Sequence, residues 1–222
     1  MVFVIQCDPE VPPGLVAVEL QEMHADWKLV RLDEGDQLPG IQSGDLVIVL
    51  GGRMSANDDQ EFSFLPELKI WIKEAAVKNI PYLGICLGAQ LLAAALGSKV
   101  IGNRWGERGN GKVQLTEDGI NDLMFKGLPQ QLPAFQWHDD SFDLPDGATL
   151  LASSAVCPHQ AFRLGNAWGL QFHPEITPEI ISGWAITESS DEEAHLVFEW
   201  LGKEKKYGKT VHLMMKNFLA LS

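Results

Sequence analysis

Short apolar runs alternate with helix-forming segments through the first hundred or so residues, and this alternation restricts the fold more than any other feature of the chain. We predict strands over residues 2–6, 27–32, 45–50 and 81–86. We predict helices over residues 15–26, 64–78 and 89–96. Strands that are apolar throughout, with helices between them, are typical of a parallel sheet covered by helices on both faces.

From residue 99 to residue 170 the pattern changes to short strands separated by turns. We predict strands over residues 112–116, 134–137, 149–153, 160–164 and 168–172, and a helical C-terminal segment over about 177–222. No repeat or linker divides the chain. Residues 1–222 are therefore expected to form a single α/β domain, with an open, mostly parallel central sheet flanked by helices and an antiparallel extension.

The charge of the chain argues against two classes of partner. Its 222 residues include 17 Lys and Arg against 30 Asp and Glu, which gives a formal charge of −13. Such a surface repels nucleic-acid phosphates and anionic lipid headgroups at long range. We therefore expect no binding to nucleic acid or to a membrane, and instead a small-molecule substrate.

The uncharged stretch over residues 79–98 is long enough to cross a bilayer, but its Pro and Gly residues would interrupt a continuous helix. A buried strand, a turn and a buried helix explain it better. The N-terminus lacks the basic region of a signal peptide. Three widely spaced cysteines fit neither a disulfide framework nor a zinc ribbon. These features predict a soluble, cytoplasmic protein.

The motif Gly84-Ile-Cys86-Leu-Gly88 joins a predicted buried strand to a predicted helix. This spacing is that of a nucleophile elbow, with Cys in place of Ser. The turn strains the backbone at Cys86, and the two glycines remove Cβ atoms that would clash with neighbouring chain. Because the thiol would lie at a helix N-terminus, unpaired N–H groups would favour its thiolate form. A buried apolar Cys in a glycine turn is the alternative interpretation.

A cysteine nucleophile needs a base and a group that orients the base. His173 directly follows the predicted strand 168–172, and the carboxyl ends of parallel strands meet at one edge of a sheet, where Cys86 also lies. Glu175 is placed to accept a hydrogen bond from the second ring nitrogen of His173. We therefore predict a Cys86–His173–Glu175 triad. A His-Pro-Glu loop without a catalytic role is the alternative.

The sequence Gly51-Gly52-Arg-Met-Ser55 follows another predicted buried strand. A thioacyl intermediate needs N–H donors for its oxyanion. The N–H groups of Gly52 and of Leu87, which follows the nucleophile, are predicted to supply them. By itself, a Gly-Gly pair after a strand is more often only a turn.

Two other patterns do not hold as functional motifs. The glycine-rich stretch 106–112 is similar to a phosphate loop, but Val113 replaces the required Ser or Thr, and a strand rather than a helix follows. The segment Trp137-His-Asp-Asp140 has the residue types of a metal pair, although a loop at the rim of a pocket is favoured. We expect no metal ion and no cofactor.

Together these motifs resemble those of the class I glutamine amidotransferases of the triad type, in particular the stand-alone GMP-synthase-like branch. Over residues 2–179 the family order is kept, as Gly51-Gly-Arg-Met-Ser55, Gly84-Ile-Cys-Leu-Gly-Ala-Gln90, Trp137-His-Asp-Asp140 and Gln171-Phe-His-Pro-Glu175. The resemblance implies a flavodoxin-like fold. It also implies hydrolysis of the γ-amide of glutamine to glutamate and ammonia through a γ-glutamyl thioester on Cys86.

The resemblance further implies roles for single residues. His173 would transfer protons and Glu175 would orient it. Gln90 would contact bound glutamine, and Asp139 and Asp140 would hold its α-amino and α-carboxylate end. One position departs from the family pattern: Arg53 stands where the family has proline, which either loosens the loop or brings a positive charge into the site.

Three functional readings stay open. The resemblance implies a glutaminase that passes ammonia to an unknown acceptor, either alone or with a separate synthetase subunit. The same triad would serve a γ-glutamyl peptidase, because a thioester mechanism is indifferent to whether the leaving amine is ammonia or an amino acid. A non-catalytic regulatory module on the same fold is the third reading, and the intact triad argues against it.

Overall fold

The computed structural model describes residues 1–185 and 190–221. The strands are β1 (Val2–Gln6), β2 (Trp27–Arg31), β3 (Leu46–Val49), β4 (Tyr82–Ile85), β5 (Val100–Ile101), β6 (Glu107–Leu115), β7 (Gln131–His138), β8 (Ser141–Phe142), β9 (Thr149–Ser153), β10 (Ala161–Leu164) and β11 (Ala167–Leu170). The α-helices are α1 (Gly14–Glu22), α2 (Phe64–Val77), α3 (Leu87–Ala95), α4 (Glu117–Asn121), α5 (Pro178–Trp184), α6 (Ser190–Leu201) and α7 (Glu204–Leu219).

Nine of these strands form one sheet in the order β2-β1-β3-β4-β11-β10-β9-β6-β7. The strands from β2 to β11 in this order pair in parallel, and we call them the parallel half. The strands β10, β9, β6 and β7 pair antiparallel, and we call them the antiparallel half. The predicted α/β fold, with a parallel centre and an antiparallel extension, is confirmed.

The parallel half is buried because helices cover both of its faces. Side chains alternate between the faces along each strand, so that Val4 and Ile5 enter different cores. One core is closed by α1 and α7, which contribute Val16, Leu20, Val211, Met214 and Phe218. The other is closed by α2 and α3, which contribute Leu65, Leu68, Ile72, Leu91 and Leu92. This two-sided burial explains the continuous apolar runs of the sequence.

The boundaries differ from the predictions mainly at polar segments. The first helix ends at Glu22 rather than residue 26, because His24 takes a positive φ of 53° that an α-helix does not accommodate. The strand predicted over 112–116 is the longer β6, which also contains most of the rejected phosphate loop. The helix α4 was not predicted at all.

The predicted C-terminal helical segment is present as α5, α6 and α7. The part of that prediction that concerns residues 186–189 and 222 lies outside the described residues. No helix within residues 1–185 and 190–221 is both long enough and apolar enough to cross a membrane.

Candidate active site

The site forms at the carboxyl edge of the parallel half. Gly52 follows β3, Cys86 follows β4 and His173 follows β11, and these three strands run in the same direction. Four antiparallel pairings separate β11 from β7, so β7 also ends at this edge. The backbone N–H of His173 donates to the Phe135 carbonyl on β7 at 2.9 Å, which joins the two halves of the sheet beside the site.

Cys86 occupies the strained elbow that the sequence predicts. Its φ of 50° and ψ of −105° lie in a region that residues with a Cβ rarely adopt. A Cβ on Gly84 would lie 2.5 Å from the Gly88 carbonyl carbon, and one on Gly88 would lie 2.9 Å from the Val49 carbonyl carbon. Only glycine fits at either position, and the Cys86 N–H is held by the Leu170 carbonyl at 2.7 Å.

His173 and Glu175 form a buried pair. The ring Nδ1 of His173 lies 2.7 Å from Glu175 Oε1, and their exposures are 2% and 0%. Because a carboxylate only accepts, Nδ1 carries the proton of this bond. Among the described residues, the other ring nitrogen of His173 is buried without a hydrogen-bond partner. It is therefore available to exchange a proton inside the site.

The imidazole of His173 and the side chain of Cys86 lie close to the same point beside Gly51. A Cβ built on Gly51 would lie 3.2 Å from His173 Cε1 and 3.6 Å from Cys86 Cβ. Burial alone would lower the pKa of His173, but the negative charges of Glu175 and of the Cys86 sulfur raise this pKa to about 10. The surroundings therefore favour an imidazolium beside the sulfur.

Gly52 and Leu87, the predicted oxyanion donors, are neighbours. A Cβ on Gly52 would lie 2.5 Å from Met54 Sδ and 2.8 Å from Leu87 Cδ2, so the loop passes close to the start of α3. Leu87 is the first residue of α3, and the N–H groups of a first helical turn have no carbonyl partner within the helix.

Arg53 anchors this loop to the segment that follows β1. Its backbone N–H donates to Oδ2 of the buried Asp8 at 2.9 Å, a bond that the proline of the family pattern cannot make. Its guanidinium lies 3.7 Å from Asp8 and 3.3 Å from Glu10, and its side chain is 63% exposed. The positive charge expected from this substitution lines the cavity described below.

One cavity of about 460 Å³ brings most of the predicted site residues together. Its lining includes Cys86, His173, Gly52, Gln90, Asp139 and Asp140. Gln90 Nε2 donates to the Asp140 carbonyl at 3.1 Å and lies 3.4 Å from Gln171 Oε1. The Asp140 carboxylate accepts from Ser55 Oγ at 2.8 Å. Asp139 is bound by Arg108 at 2.7 Å. Within the described residues, no group of three or more His, Cys, Asp or Glu side chains is arranged to hold a metal ion.

Several residues of the site are not singled out by the sequence, among them Arg108 on β6, which binds Asp139. Gln171 donates to Cys86 Sγ at 3.6 Å, and its place two residues before His173, on the same face of the chain, would have been a usable signal. Asp8 follows β1 as Cys86 follows β4, which was a second signal. Trp184 lies with its ring 4.7 Å from the His173 ring, and only the packing of α5 brings it there.

The fold and this edge define an α/β protein with a cysteine elbow facing a buried histidine–carboxylate pair. The family model for class I glutamine amidotransferases matches residues 15–182, and the chain belongs to this family. A glutamine amidotransferase of Thermotoga maritima superposes with a TM-score of 0.89 at 30% identity, over 98% of this chain and 97% of that one.

Two curated relatives have similar sequences. The glutamine amidotransferase-like protein YfeJ of Salmonella typhimurium is 34% identical over 159 residues, which are 69% of this chain and 66% of YfeJ. One subunit of the glutamine-hydrolysing GMP synthase of Thermoplasma acidophilum is 34% identical over 161 residues, which are 71% of this chain and 75% of that relative. The match thus spans about two thirds to three quarters of these relatives.

Proposed function

We propose that the protein hydrolyses the γ-amide of glutamine to glutamate and ammonia through a γ-glutamyl thioester on Cys86. The observation that carries this proposal is the buried His173–Glu175 pair facing a cysteine held at a strained elbow. Membership of the class I glutamine amidotransferase family supports the same reaction.

In the proposed mechanism, the Cys86 thiolate attacks the γ-carbonyl carbon of glutamine. The N–H groups of Gly52 and Leu87 donate to the oxyanion of the tetrahedral intermediate. His173, held by Glu175, gives its Nε2 proton to the leaving amide nitrogen, and ammonia departs. Water then attacks the thioester and gives a proton to His173, and glutamate leaves as the thiolate reforms.

We assign the α-amino and α-carboxylate end of glutamine to the wall formed by β6 and β7. Asp139 and Asp140 carry negative charge for the ammonium group, and Gln90 lies against the Asp140 carbonyl. Arg108, bound to Asp139, supplies a positive charge for the carboxylate.

We infer that the ammonia passes to an acceptor on a separate synthetase. The name of the Thermoplasma relative supports this inference, because it describes one subunit of a glutamine-hydrolysing synthase. The structural agreement with a glutamine amidotransferase of Thermotoga maritima, over 98% of this chain and 97% of that one, supports the amidotransferase part of the reaction.

Hydrolysis of γ-glutamyl conjugates is the second candidate, and the size of the cavity favours it. About 460 Å³ falls within the range of about 300–1,000 Å³ that is usual for pockets holding drug-sized ligands. That volume leaves room for a leaving amine larger than ammonia. A thioester on Cys86 would form in the same way with either substrate.

Mass spectrometry after acid quenching tests both candidates. The protein is mixed with glutamine and, separately, with γ-glutamyl peptides, and the spectrum shows which substrate leaves one glutamyl group on Cys86. We expect Cys86→Ala to abolish the adduct and turnover while the chain still folds. Cys157→Ala, at a second buried cysteine, is the matched control and should keep both. A Cys86→Ala protein with the full glutaminase rate would exclude the thioester mechanism.

A further inference from the structure

Gln171 is a fully buried side chain that the mechanism above does not use. It lies between the end of β11 and His173, and its backbone N–H donates to the Gln160 carbonyl at 2.9 Å. Its side-chain Nε2 lies 3.6 Å from Cys86 Sγ. A fully buried amide against the sulfur of the proposed nucleophile calls for a physical explanation.

A chain of hydrogen bonds fixes which end of this amide faces the sulfur. The Asp140 backbone carbonyl can only accept, so the Gln90 atom that lies 3.1 Å from it must be the donating nitrogen. The same Gln90 nitrogen lies 3.4 Å from the Gln171 amide, and it therefore requires the oxygen of Gln171 on that side. The nitrogen of Gln171 is left to face Cys86 Sγ. The Asp140 carbonyl, just beyond the end of β7, thus orients an N–H donor of Gln171 toward the sulfur.

We propose that Gln171 is a further catalytic residue, a neutral donor that holds the Cys86 thiolate through an N–H···S hydrogen bond. This inference rests on the proposed function only in taking Cys86 as the nucleophile. A hydrogen bond to the charged form of a group favours that form. Because the amide carries no charge and loses no proton, it does not compete with His173 for the proton in transfer.

The same hydrogen bond has two consequences during turnover. Before attack, it holds Sγ in one direction, beside the start of α3. During hydrolysis of the thioester, the sulfur regains its negative charge as it leaves the acyl carbon, and an N–H already directed at it stabilises that charge. Loss of the donor should therefore slow both acylation and deacylation, in contrast to loss of a residue that only contacts the substrate.

The test is the pH profile of Cys86 alkylation by iodoacetamide, measured on the whole chain without substrate and read at the Cys86 peptide by mass spectrometry. The midpoint of the profile is the pH at which half of Cys86 is in the thiolate form. We use this midpoint instead of a rate at a single pH, because the intrinsic reactivity of a thiolate also changes with its basicity. The variant Gln171→Met keeps the length of the side chain and removes the donor. Gln171→Glu places a carboxylate beside the sulfur.

We expect Gln171→Met to move the midpoint to higher pH. At a given pH below the midpoint, the thiolate fraction should be about tenfold smaller than in the wild type. Gln171→Glu should move the midpoint further, because like charges repel. Gln90→Met should also move it upward, because it frees the Gln171 amide to turn. The matched control is Gln136→Met, at another buried glutamine, whose amide has no hydrogen-bond partner among the described residues. It should leave the midpoint unchanged.

Unchanged midpoints in folded Gln171→Met and Gln171→Glu, checked by circular dichroism, would overturn the inference. If one variant does not fold, the other and Gln90→Met decide the result. The readout separates this inference from the proposed function. Shifted midpoints in a protein that releases no ammonia from glutamine would keep the donor and exclude the glutaminase. Full glutaminase activity with unshifted midpoints would keep the glutaminase and exclude the donor role of Gln171.

Discussion

The two halves of the sheet contribute different parts of the site. The parallel half ends in Cys86, His173 and the Gly52 loop, and the residues Cys86 and His173 are only 6% and 2% exposed. The antiparallel half ends in side chains that face solvent, with Arg108 45% and Asp139 60% exposed. Groups whose charge state must be set by their surroundings thus lie in the buried half, and the charged groups assigned to the α-amino and α-carboxylate end of the substrate lie in the exposed half.

This division has an electrostatic reason. In a buried environment one neighbouring charge shifts a pKa strongly, as Glu175 does for His173, whereas water and salt weaken the same interaction at an exposed position. We therefore expect substitutions in the parallel half to change reaction rate or folding. Substitutions in the antiparallel half should mainly change substrate binding. The predictions below test this difference.

The largest effect is expected at the histidine–carboxylate pair of the parallel half. His173→Ala removes the group that we propose transfers the proton, and we expect kcat/KM for glutamine to fall about a hundred- to ten-thousandfold. Glu175→Gln should cost less, because its amide oxygen still accepts from His173 Nδ1. Steady-state ammonia release measures both. A greater loss in Glu175→Gln than in His173→Ala would contradict the orienting role of Glu175.

The next largest effect, on the free energy of unfolding, is expected at a glycine of the parallel half, and a glycine of the antiparallel half is its control. Gly84→Ala in β4 would place a Cβ 2.5 Å from a backbone carbon, and we expect it to lower the free energy of unfolding by about 3 kcal/mol. Gly111→Ala in β6 is the control, because its Cβ would meet ordinary contacts at 3.7 Å. We expect Gly111→Ala to be neutral or to stabilise by about 0.5 kcal/mol. Urea unfolding midpoints measure both, and equal losses would remove the difference between the halves.

The difference in burial between the two halves also decides how well the sequence predicts the secondary structure of each half. Strand β1 has the bounds predicted for it, and the elbow at Cys86 has the predicted strain, because two-sided burial and tight turns impose residue types that stand out in a sequence. Strand β6 begins with Glu107-Arg108-Gly109-Asn110, which has no apolar alternation. It is a strand because it pairs with β7 from Glu107 to Gln114, and tertiary pairing overrides local preference there.

The sequence likewise predicts only part of the candidate site. The motifs single out residues at strand ends, and the structure brings these ends to one edge because the strands are parallel. The donor on Cys86 was not found, because the orientation of the Gln171 amide depends on Gln90 and on the Asp140 carbonyl, which are distant in the chain. Trp184 reaches His173 only through the packing of α5.

A third prediction concerns the anchor of the loop that carries Gly52, which we propose as an oxyanion donor. Arg53→Pro removes the N–H that binds the buried Asp8, and we expect it to lower the free energy of unfolding by about 1–3 kcal/mol, the cost of leaving a buried acceptor short of a donor. Arg53→Ala keeps the N–H and removes only the exposed guanidinium, so its loss should be below about 1 kcal/mol. Thermal and urea unfolding of the two variants measure the difference. Equal losses of stability in the two variants would assign the role to the guanidinium, which both variants remove, instead of the backbone N–H.

The smallest stability effect is expected at Arg108 in the antiparallel half. Its ion pair with Asp139 and its contact with the Trp137 ring, at 5.1 Å, are both at the surface, where such pairs contribute about 0.2–1 kcal/mol. Arg108→Ala should therefore unfold almost as the wild type does. Because the guanidinium is assigned to the α-carboxylate of the substrate, KM should rise while kcat stays nearly constant.

Lys78→Ala is the matched control for Arg108→Ala, because it breaks another surface ion pair, with Glu74, that lies outside the cavity lining. If loss of a surface ion pair alone matters, both variants should raise KM equally. If Arg108 meets the substrate carboxylate, Arg108→Ala should raise KM and Lys78→Ala should leave it unchanged. A fall in kcat as large as that of His173→Ala would mean that the antiparallel half takes part in the chemical step, and the two halves would then share one role.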